Sequence, residues 1–375
     1  MSLPPFVLER YFARYEFDVP FLLGSSDCES MTIGELLAFG SGKQNDPSAG
    51  QLFNDLSLGY TESAGHPELR AEIARIYETV DASDVLVHSG AEEAIYTFMH
   101  ATLSPGDHVV AHAPAYQSLH SIAASIGVEV TSWRAREEEG WALDPDELAA
   151  SLRPTTRVVV LNCPHNPTGY LMDRERFDVV VEIVRRHGAW LFSDEVYREL
   201  EYRDDDRLPA ACDVYERAVS LGVMSKTYGL PGLRIGWLAS RDRDVLTRVA
   251  EIKDYLTICA SAPSEFLATV ALRQRLALAD RSRELVLANL EHADAFFARW
   301  SGRFTWRRPD AGPIAFVRLR EGGSGAFAKR VAEEAGVMLV PSTVYDAGDE
   351  HLRFGFGRQN CRQALDRLDA YLATG

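Results

Sequence analysis

Short runs rich in valine and isoleucine alternate with stretches of helical spacing between residues 85 and 240, and this alternation constrains the fold more than any other feature. The apolar runs cover residues 85–87, 108–112, 128–133, 157–161, 190–192, 218–221 and 235–238. Amphipathic stretches separate several of them, at 92–103, 118–126 and 174–187. Strand-sized runs joined by helices favour crossover connections, so the sequence predicts an α/β domain with a mostly parallel sheet.

The alternation of strand-like runs and helical stretches ends near residue 275. A long charged helix is predicted over 281–300, and three shorter strand-like runs follow at 315–319, 337–340 and 352–356. We interpret this region as a smaller α+β domain and divide the chain into 1–45, 46–275 and 276–375. The first 45 residues contain too few strand-like runs to fold alone, so they are expected to pack with the small domain and over the functional site.

The charge balance restricts the partners of the chain. Lys and Arg total 39 against 55 Asp and Glu, a net charge of −16, and such a surface repels nucleic acid and anionic membranes. Glu9 and Arg10 lie where a secretion signal needs apolar residues, and no apolar run approaches the length of a membrane span. The five cysteines include no C-x-x-C pair, so we predict neither disulfides nor a metal site and expect a cytoplasmic protein.

The most specific motif is S-K-T-Y-G-L-P-G-L-R-I-G at 225–236, directly after a predicted buried strand. A lysine that forms a Schiff base needs a fixed backbone and a shielded amine, and Lys226 at this strand-to-loop boundary has both. Ser225 and Arg234 offer a hydroxyl and a guanidinium that could meet on one phosphate. Taken alone, the Ser-Lys pair also fits a solvated loop lysine, with Arg234 in a surface ion pair.

A second anion site is predicted where the strand at 85–87 turns directly into a helix. Gly90 lets the backbone come close to a ligand, and the free amides of Ala91 and Glu92 at the helix N-terminus favour an anion. The alternative is an ordinary strand-to-helix turn capped by Ser89.

Three further loops follow predicted strands and carry polar or aromatic side chains. Asp194 lies just after the run at 190–192, at the carboxyl end of the predicted strand. A buried carboxylate there could keep a ring nitrogen protonated, and Tyr197 could reach an oxygen of the same ring. Asn166 lies in N-C-P-H-N-P-T-G at 162–169, and Tyr116 could stack on an aromatic ligand. A helix cap at Asp194, core packing of the tyrosines and a plain turn at Asn166 are the alternatives.

Together these residues resemble the aminotransferase class I/II family, which uses pyridoxal 5′-phosphate (PLP). The resemblance runs from Tyr60 to Arg353. It depends on motifs that occur in family order, at Tyr60 with G-H-P-E-L-R (65–70), G-A-E-E-A (90–94), P-A-Y (114–116), N-P-T-G (166–169), D-E-V-Y (194–197) and the segment 225–236. It implies the fold type I architecture of PLP enzymes, with a mostly parallel seven-stranded sheet, helices on both faces and a smaller α+β domain.

The resemblance also implies roles for individual residues. Lys226 would carry PLP and move the Cα proton of an amino acid substrate, while Asp194 would pair with the pyridine nitrogen. Asn166 and Tyr197 would bind the ring oxygen, and Tyr116 would stack on the ring. The phosphate would be held by Gly90, Ala91, Glu92, Ser225 and Arg234. Tyr60 would reach the site of the partner in a homodimer, and Arg353 would bind the substrate α-carboxylate, with Asn166 beside it.

The substrate end of the pocket departs from the common family pattern. Residues 341–345 read P-S-T-V-Y where many members have P-G-x-x-F. Residues 25–36 and 253–257 are similar to capreomycidine synthases, which cyclise a hydroxylated arginine. Ser25, Asp27 and Glu29 are therefore candidate substrate residues, and the two acids could bind a substrate guanidinium. The alternative for both is a solvated acidic loop.

Three functions follow from these resemblances. The first is cyclisation of a hydroxylated L-arginine, in which the Cα proton is removed, the β-hydroxyl leaves and a guanidine nitrogen adds to Cβ. The second is ordinary transamination with a 2-oxo acid. The third is a PLP-binding regulatory domain without turnover, although no DNA-binding segment is evident ahead of the family region. Fold alone does not separate the first two, because both begin with removal of the Cα proton.

Overall fold

The computed structural model describes residues 3–39 and 48–374. The predicted domain boundary between residues 45 and 46 therefore lies outside the described residues. Among the described residues, no helix is both long and apolar enough to cross a membrane, and no group of three or more His, Cys, Asp or Glu side chains could hold a metal ion.

The larger sheet of the described chain has seven strands, at the positions predicted from the apolar runs. They are β1 Val85–His88, β2 His108–Ala113, β3 Glu129–Arg134, β4 Thr156–Asn162, β5 Trp190–Asp194, β6 Ala218–Val223 and β7 Gly236–Ala239. Their order is β1-β7-β6-β5-β4-β2-β3, and only β7 runs antiparallel to its neighbours. The predicted mostly parallel α/β sheet is confirmed.

Helices cover both faces of this sheet. Val158 and Val160 of β4 pack into one apolar cluster with Phe98, whereas the alternate residues Val159 and Leu161 pack into another with Phe177. The helices are α1 Val7–Tyr15, α2 Ile33–Phe39, α3 Ala49–Asn54, α4 Pro67–Ala74, α5 Ala91–Thr102, α6 Ser118–Ile126, α7 Pro145–Ser151, α8 Arg174–His187, α9 Ala211–Val214, α10 Arg243–Lys253, α11 Ala262–Leu272, α12 Arg275–Arg299, α13 Ser324–Arg330 and α14 Cys361–Thr374.

The C-terminal region forms a smaller antiparallel sheet in the order β10-β11-β9-β8. Its strands are β8 Phe304–Thr305, β9 Ile314–Leu319, β10 Val340–Pro341 and β11 His351–Gly355. The run predicted at 337–340 is a strand only from Val340, because Val337 instead forms an isolated bridge with Phe21. The long helix α12 begins at Arg275, before the predicted start at 281.

The N-terminal segment runs along this small sheet and so reaches the edge of the larger one. The Met338 amide donates to the Phe21 carbonyl at 2.8 Å, and the Gly355 amide donates to the Leu23 carbonyl at 2.6 Å. A Cβ atom at Gly355 would lie 1.8 Å from the Ser25 carbonyl oxygen, so this approach requires glycine. The contact holds the loop from Ser25 onward beside the carboxyl ends of the central strands.

Candidate functional site

A cavity of about 350 Å³ opens at the carboxyl ends of the parallel strands. Asn166 follows β4, Asp194 ends β5, and Lys226 follows β6; all three side chains line the cavity. Ala91, the first residue of α5, reaches it from the end of β1. Because parallel strands bring their ends to one edge, motifs far apart in the sequence meet there.

Lys226 is the amine of this cavity. Its Nζ donates a hydrogen bond to Ser26 Oγ at 3.0 Å. Burial lowers the pKa of the Lys226 amine, while Asp27 opposes that effect and the Arg353 guanidinium adds to it. A lowered pKa enlarges the neutral, nucleophilic fraction of the amine.

The N-terminus of α5 and the loop after β6 meet at one side of the cavity. Gly90 precedes α5 with φ +92°, and a Cβ atom there would lie 2.5 Å from Arg234 Nη2. The Arg234 guanidinium therefore lies against the glycine backbone, and it also donates to the Pro231 carbonyl at 3.1 Å. Ser225 and Glu92 line the same side. This is an arrangement of free helix amides, a hydroxyl and a guanidinium that suits an anion.

Two carboxyl groups in the cavity are largely removed from water. Asp194 is 5% exposed and accepts a hydrogen bond from the Val196 amide at 3.3 Å. Burial raises the pKa of Asp194 to about 7, against the opposing effect of Lys226. Burial likewise raises the pKa of Glu92 to about 7, although the carboxylate accepts a hydrogen bond from Ser118 Oγ at 3.1 Å. A nearby cation or hydrogen-bond donor would stabilise the ionised form of both carboxyl groups.

Tyr197 and Asn166 present polar groups toward the same space. The Tyr197 side chain is 1% exposed, and its hydroxyl makes no hydrogen bond of normal geometry among the described residues. Asn166 Oδ1 accepts hydrogen bonds from Arg353 at 3.1 Å and from the Tyr345 hydroxyl at 3.2 Å. Because its oxygen is occupied, the Asn166 side chain offers its NH₂ group to a ligand.

Arg353 is buried at the substrate end of the cavity and is 1% exposed. Its Nε and Nη2 donate to the Gly24 carbonyl at 3.0 and 2.8 Å, and Nη1 contacts Asn166 and Tyr345. It forms no ion pair with a carboxylate of the described residues. A buried guanidinium without a counter-ion is suited to an anionic ligand, such as a carboxylate.

The other predicted residues lie in different surroundings. Ser25 and Asp27 line the cavity, but Asp27 already accepts a hydrogen bond from Arg358 at 2.8 Å. Glu29 is not among the residues that line it, because its carboxylate accepts the Gln359 amide at 2.8 Å. Tyr116 lines the cavity, and its hydroxyl donates to Glu9 at 3.0 Å. Tyr60 lies elsewhere on the surface and is 92% exposed.

Sequence reasoning missed the N-terminal helix. Leu8, Glu9, Phe12 and Glu16 from α1 and its C-cap line the cavity. Glu9, Phe12 and Glu16 are spaced three and four residues apart, which places them on one helix face. That spacing marks an amphipathic helix but carries no information on what the face covers, so only the tertiary structure reveals the contribution of α1.

The match to a family model spans residues 42–368, and the family is aminotransferase class I and II. The chain belongs to this family. It is accordingly a PLP-dependent enzyme with the fold type I architecture, and the family acts on amino acids.

Two relatives illustrate the range of reactions in this family. The chain is 32% identical to capreomycidine synthase of Streptomyces vinaceus, over 100% of this chain and 95% of that protein. It is 29% identical to arginine–pyruvate transaminase AruH of Pseudomonas aeruginosa, over 82% of this chain and 81% of that protein.

Similar solved structures also include both an aminotransferase and a cyclase. A PLP-dependent aminotransferase from Streptococcus suis superposes with a TM-score of 0.93 at 30% identity, covering 100% of this chain and 99% of that chain. The PLP-dependent cyclase OrfR superposes with a TM-score of 0.90 at 29% identity, covering 100% of this chain and 98% of that chain. A cyclase and an aminotransferase thus share this fold over the whole chain.

The side chains of the cavity fit PLP. A phosphate suits the N-terminus of α5 with Arg234 beside it, and a pyridine nitrogen suits Asp194, whose raised pKa calls for a cationic neighbour. The ring oxygen suits the buried Tyr197 hydroxyl, which makes no hydrogen bond of normal geometry within the described residues. The amine of Lys226 lines the same cavity.

A Gly90→Ala substitution is expected to weaken PLP binding by about 10-fold, because alanine is strained at φ +92° and its Cβ would displace the Arg234 guanidinium. Titration of the cofactor-free variant with PLP, followed by absorbance, measures the change. Gly188→Ala is the matched control, since Gly188 has φ +82° but no atom within 4 Å of its Cβ position. Equal PLP affinity in the two variants would contradict the expectation.

Proposed function

We propose that this enzyme cyclises a hydroxylated L-arginine, as its similarity to capreomycidine synthase suggests. The observation that carries the proposal is the extent of that similarity: it covers 100% of this chain, including the N-terminal segment that lines the cavity. The transaminase alignment covers 82% of the chain. The OrfR cyclase structure also aligns over the full length, but so does the Streptococcus suis aminotransferase, so the solved structures are consistent with either reaction.

The geometry of the cavity and the family resemblance support the proposed cofactor residues. In this proposal Lys226 carries PLP and moves the proton at the substrate Cα, Asp194 binds the pyridine nitrogen, and Tyr116 stacks on the ring. Asn166 and Tyr197 donate to the ring oxygen. The phosphate is bound by the α5 N-terminus at Gly90, Ala91 and Glu92, together with Ser225 and Arg234.

The proposed substrate residues account for the rest of the reaction. Arg353 binds the α-carboxylate through its guanidinium, which has no counter-ion in the described part of the chain and is oriented by Gly24 and Asn166. Ser25 and Asp27 lie beside the substrate side chain. Bound PLP supplies the electron sink that makes the Cα proton acidic. Lys226 removes that proton and returns one to Cα at the end of the reaction.

The proposed reaction balances as the loss of one water. The Cα–H and Cβ–O bonds break, and the hydroxyl leaves with a proton. One guanidine nitrogen forms a bond to Cβ and releases its proton, which closes a six-membered ring, and Cα regains a proton. No oxidant and no amino-group acceptor are consumed.

The test is to incubate PLP-loaded enzyme with 3-hydroxyarginine, with and without a 2-oxo acid, and to follow masses and ring formation. We expect a cyclic product lighter by one water that forms equally well without the 2-oxo acid. A 2-oxo product of unchanged carbon skeleton that forms only with the acceptor would overturn the proposal and show transamination. An acyclic product that has lost water would indicate elimination without cyclisation.

Transamination is the second candidate, because the chain is 29% identical to arginine–pyruvate transaminase AruH. The mass experiment separates it from cyclisation directly. A regulatory domain without turnover has no support from the relatives described above, which are enzymes.

We also propose that the enzyme acts as a homodimer in which Tyr60 reaches the site of the partner. Three large side chains are strongly exposed: Leu58 is 82% exposed, Tyr60 92% and Tyr255 90%. Such side chains favour a protein interface. A Tyr60→Ala variant tests the assignment. Light scattering should show that the variant remains dimeric, and titration with PLP should show that it binds the cofactor more weakly.

A further inference from the structure

We propose that Glu9 on α1 and Glu16 at its C-cap form an anionic subsite that binds the cationic side chain of the substrate, a guanidinium. This inference rests on the proposed function in so far as an amino acid binds with its carboxylate at Arg353. It assigns to α1 the selection of the substrate side chain, which neither the motifs nor the family resemblance indicated.

The helix is held over the cavity by contacts at its first residue and near its middle. The Val7 amide donates to Gln117 Oε1 at 2.9 Å, and the Tyr11 hydroxyl donates to the Leu339 carbonyl at 2.6 Å. The Tyr116 hydroxyl donates to Glu9 Oε1 at 3.0 Å, which fixes that carboxylate at the cavity. Phe12, between the two acids on the same face, also lines the cavity.

The charges around the cavity do not balance without a cationic ligand. The basic groups that line it are Lys226, Arg234 and Arg353, and each has a proposed partner in PLP or in the substrate carboxylate. Asp194 likewise has the pyridine nitrogen, and Glu92 lies on the phosphate side, hydrogen-bonded to Ser118.

Three acids remain at the substrate end: Glu9, Glu16 and Asp27. Asp27 is paired with Arg358 at 2.8 Å, whereas Glu9 and Glu16 form no ion pair with an Arg or Lys of the described residues. Burial raises the pKa of Glu16, and the charges of Asp27 and Glu9 raise it further. A bound cation would relieve this repulsion.

Two independent features indicate that a ligand belongs in this cavity. One is the excess of acids at the substrate end, and the other is the buried Arg353 guanidinium, which has no carboxylate partner among the described residues. A ligand that satisfies both ends carries a carboxylate and, opposite to it, a cation. A guanidinium suits two carboxylates because its planar donors can bind both at once.

The experiment compares L-arginine with L-citrulline, in which a neutral urea replaces the guanidinium at nearly the same size. Binding to the PLP-loaded enzyme is followed through the cofactor absorbance, which requires no turnover. We expect wild-type enzyme to prefer arginine. Glu16→Gln should weaken arginine binding by about 10- to 100-fold and change citrulline binding by less than about 3-fold. Glu9→Gln should act in the same direction.

Asp18→Asn is the matched control, because it removes the same charge from an exposed residue two positions beyond Glu16 that does not line the cavity. The melting temperature and the bound-cofactor spectrum show whether each variant is folded. Equal losses for arginine and citrulline would indicate a structural role and overturn the inference, as would wild-type arginine binding in a Glu9→Gln/Glu16→Gln double variant.

The outcome is separate from that of the cyclisation assay. If 3-hydroxyarginine is transaminated and the arginine preference still depends on Glu16, the cyclase proposal fails and the guanidinium subsite stands. If water is lost and a ring closes while Glu9 and Glu16 prove irrelevant to binding, the cyclase proposal stands and the subsite fails. L-Lysine and L-ornithine in the same titration distinguish a guanidinium site from a general cation site, and binding as tight as that of arginine would contradict the guanidinium assignment.

Discussion

A Lys226→Ala enzyme is expected to lose turnover by about 10²- to 10⁴-fold and to keep its fold. Lys226 is the amine of the cavity, and burial lowers its pKa so that the neutral form is more accessible. In the proposed reaction Lys226 is the base that takes the substrate Cα proton, so the variant would lack that base. The fold should persist because, within the described part of the chain, the Lys226 amine makes one hydrogen bond, to Ser26 at 3.0 Å.

Two measurements check this expectation. Borohydride treatment of the PLP-loaded wild-type enzyme, followed by proteolysis and mass spectrometry, should find the cofactor on the peptide that contains Lys226. Lys329→Ala is the control for turnover, since Lys329 is exposed on α13 and does not line the cavity. Cofactor attached to another lysine, or near-normal turnover in Lys226→Ala, would contradict the assigned role.

The central sheet was predictable because its strands carry a local signal. A strand buried on both faces is almost entirely apolar, as residues 158–161 of β4 are, and such runs are visible without tertiary information. Parallel connection then brings the ends of these strands together, so Asn166, Asp194 and Lys226 were expected at one edge and do line one cavity. The motif residues could be placed because each lies at or just after the end of one of these strands in the sequence.

The substrate end was less predictable because it is built by long-range contacts. Asp27 and Arg358 are 331 residues apart in the sequence, and their pairing leaves no pattern that can be read locally. Glu29 shows the same limit, because its carboxylate binds the Gln359 amide 330 residues away. The helix α1 has an amphipathic spacing that indicates a buried face, but the identity of the surface beneath it depends on the whole fold.

Asp194→Asn is expected to lower turnover by about 10²- to 10³-fold, because it removes the only buried charge proposed to stabilise the protonated pyridine nitrogen. The same substitution should stabilise the cofactor-free protein at high pH. Burial raises the pKa of Asp194 from 3.8 to about 7, so between these values the folded state holds a proton that the unfolded state has released. The stability of the cofactor-free wild-type protein therefore falls as pH rises through this window.

The variant lacks this titration, so the cofactor-free proteins should differ little at pH 4, whereas at pH 8 Asp194→Asn should be more stable by on the order of a few kcal/mol. Urea unfolding at the two pH values measures the difference, and PLP titration should show weaker binding in the variant. The variant should thus be more stable without cofactor but less active with it. Both effects are expected if burial of the Asp194 carboxylate destabilises the cofactor-free protein and a cationic ring nitrogen offsets that cost. An Asp194→Asn protein that is less stable at both pH values would instead make Asp194 a structural residue of the β5 edge.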